Sequence, residues 1–304
     1  MIIIRTPLRI SLAGGGTDLP AYSSKNGSIL ISAAINKYIY ITKHQSLFSP
    51  KIRIRYSVME EVDLVEEIKN EIVKETLKVC GIEGRIEITS HAEIPNGTGL
   101  GSSGSFGVGL LHSLLPKLKR NELAKIATSI QQQNLNFPIG IQDQYVATYG
   151  GTNVYCQNQN GNISIEKLDL KKLQKRLVLF FTGFKRDANE ILSKSSIEGL
   201  DEIYKLGYET LGIFKHKQFD KYGDILNRHW EYKKKRGEMT NPQIDEWYEL
   251  GLKNGALGGK LVGAGGGGFL LFYTNNPEKL IKAMPLQHLP FEFDYKGSTI
   301  VLND

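Results

Sequence analysis

Pro95-Asn-Gly-Thr-Gly-Leu-Gly-Ser-Ser-Gly-Ser-Phe106 follows an alternating strand pattern, Arg85-Ile-Glu-Ile-Thr-Ser-His91. It leads into Phe106–Leu115, whose apolar residues suit a buried helix. Gly97, Gly99 and Gly101 let the backbone take positive φ and approach a ligand closely, so that several N–H groups converge on polyphosphate oxygens. The helix start adds a partial positive charge. Ser102, Ser103 and Ser105 supply hydroxyls for phosphate oxygens or a Mg²⁺ ion. The alternative is an ordinary tight strand-to-helix connection. Three glycines in five residues would be a costly way to make one, because each raises the entropy lost on ordering. The segment reads as a phosphate loop.

Other phosphate loops fit less well. G-x-x-x-x-G-K-[ST] is excluded, since no Lys follows these glycines. G-x-G-x-x-G occurs twice, at Gly99–Gly104 and Gly263–Gly268, and two hits in one chain show how little that pattern specifies. A dinucleotide fold also needs a strand ending in an acid about 20 residues on. That position falls in Arg120-Asn-Glu-Leu-Ala-Lys, which reads as helix.

Working outward, residues 28–42 read as one or two strands rich in Ile and Tyr. Residues 59–79 place Val62, Leu64, Ile68, Ile72, Leu77 and Val79 at helical spacing, which predicts an amphipathic helix ending near Gly81. Another helix is expected over 121–133 and strands over 152–182. Helix follows from about 188 to 254, then a strand–turn–strand at GKLVGAGGGGFLLFY, a last helix, and a short strand pair near 290–302. The soft boundary lies near residue 170, giving units 1–170 and 171–304 that share a cleft.

The 304 residues carry 38 Lys+Arg against 32 Asp+Glu, a net charge of +6, spread along the chain except for runs such as Lys233–Arg236. Those runs read as solvated faces, or as part of an enzyme for anionic ligands. No basic stripe interleaved with aromatics points to nucleic acid. No apolar run reaches the 18 or more residues of a membrane span, and the N-terminus lacks the order of a secretory signal. Cys80 and Cys156 have no metal spacing and build no disulfide framework, so a cytoplasmic protein is expected.

Three segments in order resemble the GHMP kinases: RTPLRISLAGGGTDLP (residues 5–20), PNGTGLGSSGS (95–105) and KLVGAGGGGFLLF (260–272). GGGTDLP, IQDQYVATYGGTN and TGFKRDANEIL narrow the resemblance to the heptose 7-phosphate kinase branch, with fucokinase-like enzymes as near relatives. The resemblance implies an α+β fold: an N-terminal domain of the ribosomal protein S5 domain 2 type, a C-terminal ferredoxin-like domain, and an active site between them. It implies a cytoplasmic monomer or homodimer that uses ATP and Mg²⁺ on a small sugar phosphate, without nucleic acid or membrane partners.

Carried over by position, Pro95, Gly97, Gly99, Leu100, Gly101, Ser102, Ser103, Gly104 and Ser105 are ATP-binding, and Ser103 faces Mg²⁺. Asp143 resembles the catalytic aspartate, whose carboxylate orients the acceptor hydroxyl and takes its proton. Arg9 corresponds to an arginine beside that aspartate, Asp18 to the aspartate that binds sugar hydroxyls. Gly265 and Gly266 belong to a glycine segment near phosphates and acceptor. Read without the family, Asp143 and Asp18 would be turn caps, Arg9 a strand-end charge, and the late glycines a tight hairpin.

Two departures matter. Gly15-Gly16 stand where galactokinase has Glu-His, which favours a larger or differently oriented sugar. A Mg²⁺-binding glutamate of many members is replaced in Ile130-Gln131-Gln132-Gln133, leaving Gln131 to offer an uncharged oxygen. For a phosphate carried by the acceptor, Lys185 and Arg186 are the expected cations, with Arg228 and Lys233 more simply read as a solvated helix face. The leading activity is an anomeric kinase for a heptose 7-phosphate. The rivals are a kinase for a free sugar such as fucose, and a non-catalytic sensor, against which Asp143, Arg9 and the complete loop argue.

Overall fold

The computed structural model describes residues 1–186 and 188–304. β1 (Ile2–Ala13) leads through a glycine turn to the short α1 (Pro20–Asn26) and the 18-residue β2 (Ser28–Gln45). β1 and β2 pair antiparallel along almost their whole length, from Ile2↔Lys43 to Ala13↔Ile31. β3 (Ile52–Arg55) and β4 (Met59–Val62) form a hairpin. Then come α2 (Glu71–Val79), β5 (Ile86–Ala92), α3 (Ser102–Leu114), α4 (Arg120–Ser129) and α5 (Gln142–Tyr149). β6 (Thr152–Gln157) and β7 (Ile163–Lys167) complete this half. The sheet runs β12-β1-β2-β5-β3-β4, where β12 is the chain's last strand, and β6 and β7 continue from the near end of β2. Among the described residues only β3 and β5 pair in parallel.

After α6 (Lys171–Gln174), β8 (Leu177–Phe181) opens a second sheet. α7 (Ala188–Lys194), α8 (Leu200–Lys215), α9 (Tyr222–Lys234) and α10 (Pro242–Lys253) follow, then β9 (Ala256–Leu261), β10 (Phe269–Thr274), α11 (Pro277–Ala283), β11 (Gln287–Leu289) and β12 (Thr299–Asn303). This sheet is ordered β11-β8-β10-β9 and wholly antiparallel. One core fills the space under the large sheet, with Ile4, Leu8, Ile10, Ile31 and Leu110 fully buried. A second, around Phe180, Trp230 and Phe272, seals α9 and α10 onto the small sheet. That packing fixes α9 across β9, and with it one wall of the site.

Several expectations need correction. The helix predicted over 59–79 is shorter. Met59–Val62 is a strand because Glu60, buried, accepts hydrogen bonds from Tyr56 Oη and from the Lys69 and Asn70 backbone N–H groups, tying the segment down before any helix begins. The helix starts only at Asn70, whose side chain caps Val73 N–H. The helix expected over 121–133 changes pitch: Leu135 N–H bonds to Ile130 C=O, five residues back, in a π-helical turn over Ile130–Asn134. Among the described residues, the helical region from 188 to 254 is four α-helices and a short 3-10 turn at Phe219–Lys221. The last two strands do not pair with each other. β11 joins β8, while β12 returns to β1, so the chain's end crosses the division expected at residue 170.

Candidate active site

A cleft of about 770 Å³ opens where the phosphate loop, the end of β1, the start of α5, α9 and the β9–β10 turn meet. The loop between β5 and α3 carries Gly97, Gly99 and Gly101 at φ of +77°, +77° and +79°. Gly99 is required twice over: a Cβ there would lie 2.5 Å from Val262 C=O, on top of the positive φ. Gly101 caps α3 in the left-handed conformation, so the first N–H groups of that 13-residue helix face the cleft. A side chain at Gly104 would strike Asp143 Cβ at 2.4 Å, so the helix can approach the start of α5 only because this position is bare.

Arg9 ties these pieces together. Its Nε donates to Asp143 Oδ1 at 2.7 Å, its Nη1 to Gly99 C=O at 2.5 Å, and its backbone N–H to Leu100 C=O at 2.9 Å. The guanidinium is almost buried, while the Asp143 side chain keeps 29% of its exposure, so the carboxylate remains open to a ligand. Asp18 lies behind it. Its Oδ2 accepts from Gln142 N–H at 3.0 Å, and burial raises its pKa, opposed by that backbone bond. Gly140 must be glycine, because a Cβ there would sit 1.9 Å from Asp18 Oδ2.

On the other side of the loop, Ser103 Oγ lies 3.4 Å from Gln131 Oε1, which also accepts from Gln144 Nε2 at 3.1 Å. Gln144 Oε1 is buried without a partner. Hard oxygen atoms from a hydroxyl and two amides are the donor type Mg²⁺ accepts, and Ser103 itself is exposed. The residues therefore fit a Mg²⁺ ion carried in by nucleotide phosphates. Among the described residues no cluster of three His, Cys, Asp or Glu could cage a metal unaided.

The fourth wall is cationic. Lys233 Nζ, buried, donates to Leu261 C=O at 2.9 Å and Gly263 C=O at 2.6 Å. Lys260 Nζ, also buried, donates to Leu12 C=O at 3.1 Å. Arg236 bonds Ser196 C=O through Nε at 3.0 Å and Ser195 Oγ through Nη2 at 3.4 Å. Desolvation pushes the pKa of Lys260 down to about 7, helped by the nearby Arg9 charge. Burial, then the charges of Lys260, Arg236 and Arg9, lower Lys233. His229 is held neutral by burial and the surrounding cations, with both ring nitrogens unbonded.

The cleft brings together most of the residues the sequence pointed to: Arg9, Gly15, Gly16, Asp18, Gly97, Gly99, Gly101, Ser102, Ser103, Gly104, Gln131, Asp143, Lys185, Arg186 and Gly265. Pro95, Leu100, Ser105 and Gly266 do not line it. Ser105 Oγ donates to Pro7 C=O at 2.8 Å inside the protein, so its hydroxyl holds β1 to α3 and is not offered to phosphate. Leu100 is a core side chain, Pro95 faces solvent and caps Thr98 Oγ with its carbonyl, and Gly266 packs against Arg186. Lys185 and Arg186 are exposed at the rim. Arg186 N–H bonds Gly97 C=O at 3.1 Å, which sets that residue against the phosphate loop. Asp187 of the same segment lies outside the described residues.

The reading of a solvated face is wrong for Lys233, though it holds for Arg228, which pairs with Glu209 and Asp224 on the surface. Arg236, at the end of the run read as a solvated face, is likewise buried, and His229 and Lys260 carry no role in that reading. A signal was present: Tyr222, Leu226, Trp230 and Lys233 continue one buried stripe of α9.

Residues 63–151 match the model of the GHMP kinases N terminal domain, and residues 211–288 that of GHMP kinases C terminal. The D-glycero-alpha-D-manno-heptose 7-phosphate kinase of Campylobacter jejuni is 31% identical over 92% of each chain. This chain belongs to the GHMP kinases. It is accordingly a phosphotransferase with an alcohol group as acceptor, a sugar kinase of a family that takes ATP as phosphate donor. The L-fucokinase/L-fucose-1-P guanylyltransferase of Bacteroides fragilis is 25% identical over 91% of this chain and 35% of its own length. Among solved structures, a D-glycero-D-manno-heptose 1-phosphate kinase from Bacteroides thetaiotaomicron superposes with a TM-score of 0.82 over the whole of both chains, at 24% identity, a likeness of fold. GHMP architecture thus accounts for the cleft between the two sheets. In the described residues no helix is long and apolar enough to cross a membrane.

Proposed function

We propose that this GHMP kinase transfers the γ-phosphoryl group of Mg·ATP to the anomeric hydroxyl of D-glycero-D-manno-heptose 7-phosphate. The products are the 1,7-bisphosphate and ADP, made in the cytoplasm for nucleotide-activated heptose and surface polysaccharide. The observation that carries this reading is the Arg9–Asp143 pair, set between the phosphate loop and Asp18. The C. jejuni relative supports the choice of sugar.

The chemistry follows from the positions. ATP phosphates lie on the N–H groups of Gly97–Ser103 and on the start of α3. Ser103 and Gln131 would hold a Mg²⁺ ion together with the nucleotide, and that ion would supply positive charge against the phosphates. Asp18 accepts hydrogen bonds from sugar hydroxyls. Asp143 accepts the proton of the anomeric hydroxyl as that oxygen bonds to phosphorus and the bond to the leaving ADP oxygen breaks. Arg9 orients Asp143 through its Nε–Oδ1 bond, and its charge opposes that building on the phosphoryl oxygens. Gly15 and Gly16 leave room for the larger sugar, while Lys185, Arg186 and Gly265 border the bound phosphates.

A second reading, a kinase for a free sugar such as L-fucose, draws on the B. fragilis relative. ADP release measured over a panel of sugars and their phosphates separates the two. Faster release with heptose 7-phosphate than with heptose or fucose supports the first. The reverse order establishes the second.

A further inference from the structure

A kinase acceptor that already carries a phosphate brings a dianion into the cleft, and burying it without cationic partners would carry a large desolvation cost. The buried cations that the cleft keeps in reserve are at one end. Arg9 is committed to Asp143. Lys233, Arg236 and Lys260 have no carboxylate within salt-bridge distance among the described residues. Asp18 is the one anionic group whose charge registers on Arg236. Three buried basic side chains without a bonded carboxylate is an arrangement that burial disfavours unless an anion joins them.

Their geometry offers a phosphate what it needs. An ammonium carries three donors. Lys233 spends two on carbonyls and Lys260 one. Arg236 uses Nε and Nη2, leaving Nη1 to point at Gly16, where a Cβ would lie 2.5 Å from it. Unspent N–H groups from three side chains thus line the same cleft, and that of Arg236 lies beside the turn that holds Asp18. His229, 3% exposed, adds two unbonded ring nitrogens to the same wall. Two of the three are on the acceptor side: Lys260 is anchored to Leu12 at the end of β1, just before Gly15 and Gly16, and Arg236 Nη1 abuts Gly16, whereas Arg186 is anchored to Gly97 of the phosphate loop; Lys233 bridges the two, held at Gly263, which packs against Gly99.

We propose that Lys233, Arg236 and Lys260 form the subsite for the phosphate of a phosphorylated sugar acceptor and so decide that such a sugar is preferred to its free counterpart. This rests on the function proposed above. These cations touch a part of the substrate remote from the reacting hydroxyl, so they set affinity more than the chemical step.

The test is binding without ATP to the full-length chain, by calorimetry and ligand-observed NMR, with D-glycero-D-manno-heptose 7-phosphate and the unphosphorylated heptose as probes. Arg236→Gln and Lys260→Met should each weaken 7-phosphate binding at least tenfold, about 1.4 kcal/mol, and free-heptose binding less than twofold. Arg236→Lys, which keeps the charge and loses the planar fork, should fall between. Both sugars weakened equally, or ATP weakened in their place, overturns the subsite. Wild-type turnover decides the other question. If the 7-phosphate binds through these cations but receives no phosphoryl group, the reaction assigned above fails and the subsite stands.

Discussion

Arg9 Nε and Asp143 Oδ1 meet at 2.7 Å although 134 positions separate them in the chain, and the same guanidinium reaches Gly99 C=O in the phosphate loop. One side chain therefore registers the acceptor's base against the donor's cradle. Asp143→Asn keeps an oxygen for Arg9 but cannot take a proton. It should retain ATP affinity while lowering kcat by roughly 10²–10⁴-fold, the range for loss of a general base. Turnover within a few-fold of wild type would remove Asp143 from the mechanism.

Ser103 and Gln131 lie together, and among the described residues no carboxylate is bonded to either. Ser103→Ala should raise the KM for Mg·ATP and leave sugar binding intact, as calorimetry on both ligands can show. Gln131→Glu should go the other way, giving half-maximal rate at a lower Mg²⁺ concentration, since a carboxylate adds charge to the ligand set. A Mg²⁺ dependence unchanged in both variants would place the metal elsewhere.

The parts of this site that are local in sequence could be read from it. Glycines alternating from Gly97 to Gly101 between strand and helix patterns describe a phosphate cradle because positive φ and N–H convergence are properties of a few adjacent residues. Arg9, Asp18 and Asp143 came from resemblance, and their meeting is a property of the β1–β2 register and the α3–α5 contact, which no local pattern encodes. The cationic wall was missed for a different reason. Charge in a helix is ordinarily solvated, and Lys233 defies that only because α9 lies across β9, where the Leu261 and Gly263 carbonyls receive its ammonium. Met59–Val62 failed similarly: Glu60 looked like a helix residue until Lys69 and Asn70 supplied its buried donors.

Arg186 tests the division between the two ends of the cleft. Its backbone is held by Gly97 and its Nε approaches Gly266 C=O at 3.4 Å, with the side chain exposed. Arg186→Ala should raise the KM for ATP a few-fold and that for the sugar 7-phosphate less. Steady-state kinetics varying each substrate would show it. A tenfold rise confined to the sugar phosphate would move the acceptor's phosphate to the rim and away from α9.

The last consequence concerns pH and the ligand-free protein. Lys260 is bordered by Arg9 and the Leu12 carbonyl from β1 and by His229 and Lys233 from α9, and burial lowers its pKa from 10.5 to about 7. In the unfolded chain the lysine titrates near 10.4. Between about pH 7 and 8 the unfolded state therefore binds more protons than the native one, and stability rises with pH. Each fully offset proton contributes at most about 1.4 kcal/mol per pH unit. The window lies below the range in which the unfolded chain's thiols and tyrosines ionise; above it Cys80 and Cys156, whose thiols burial pushes up, work in the opposite direction. Urea midpoints should climb from about pH 7 to 8 in the wild type. Lys260→Met should start higher at pH 7 and climb less, because the desolvated ammonium is gone, and the Lys233→Met/Lys260→Met pair should be nearly flat. A wild type without the climb, or a double variant that keeps it in full, would show that these lysines remain charged when the cleft is empty.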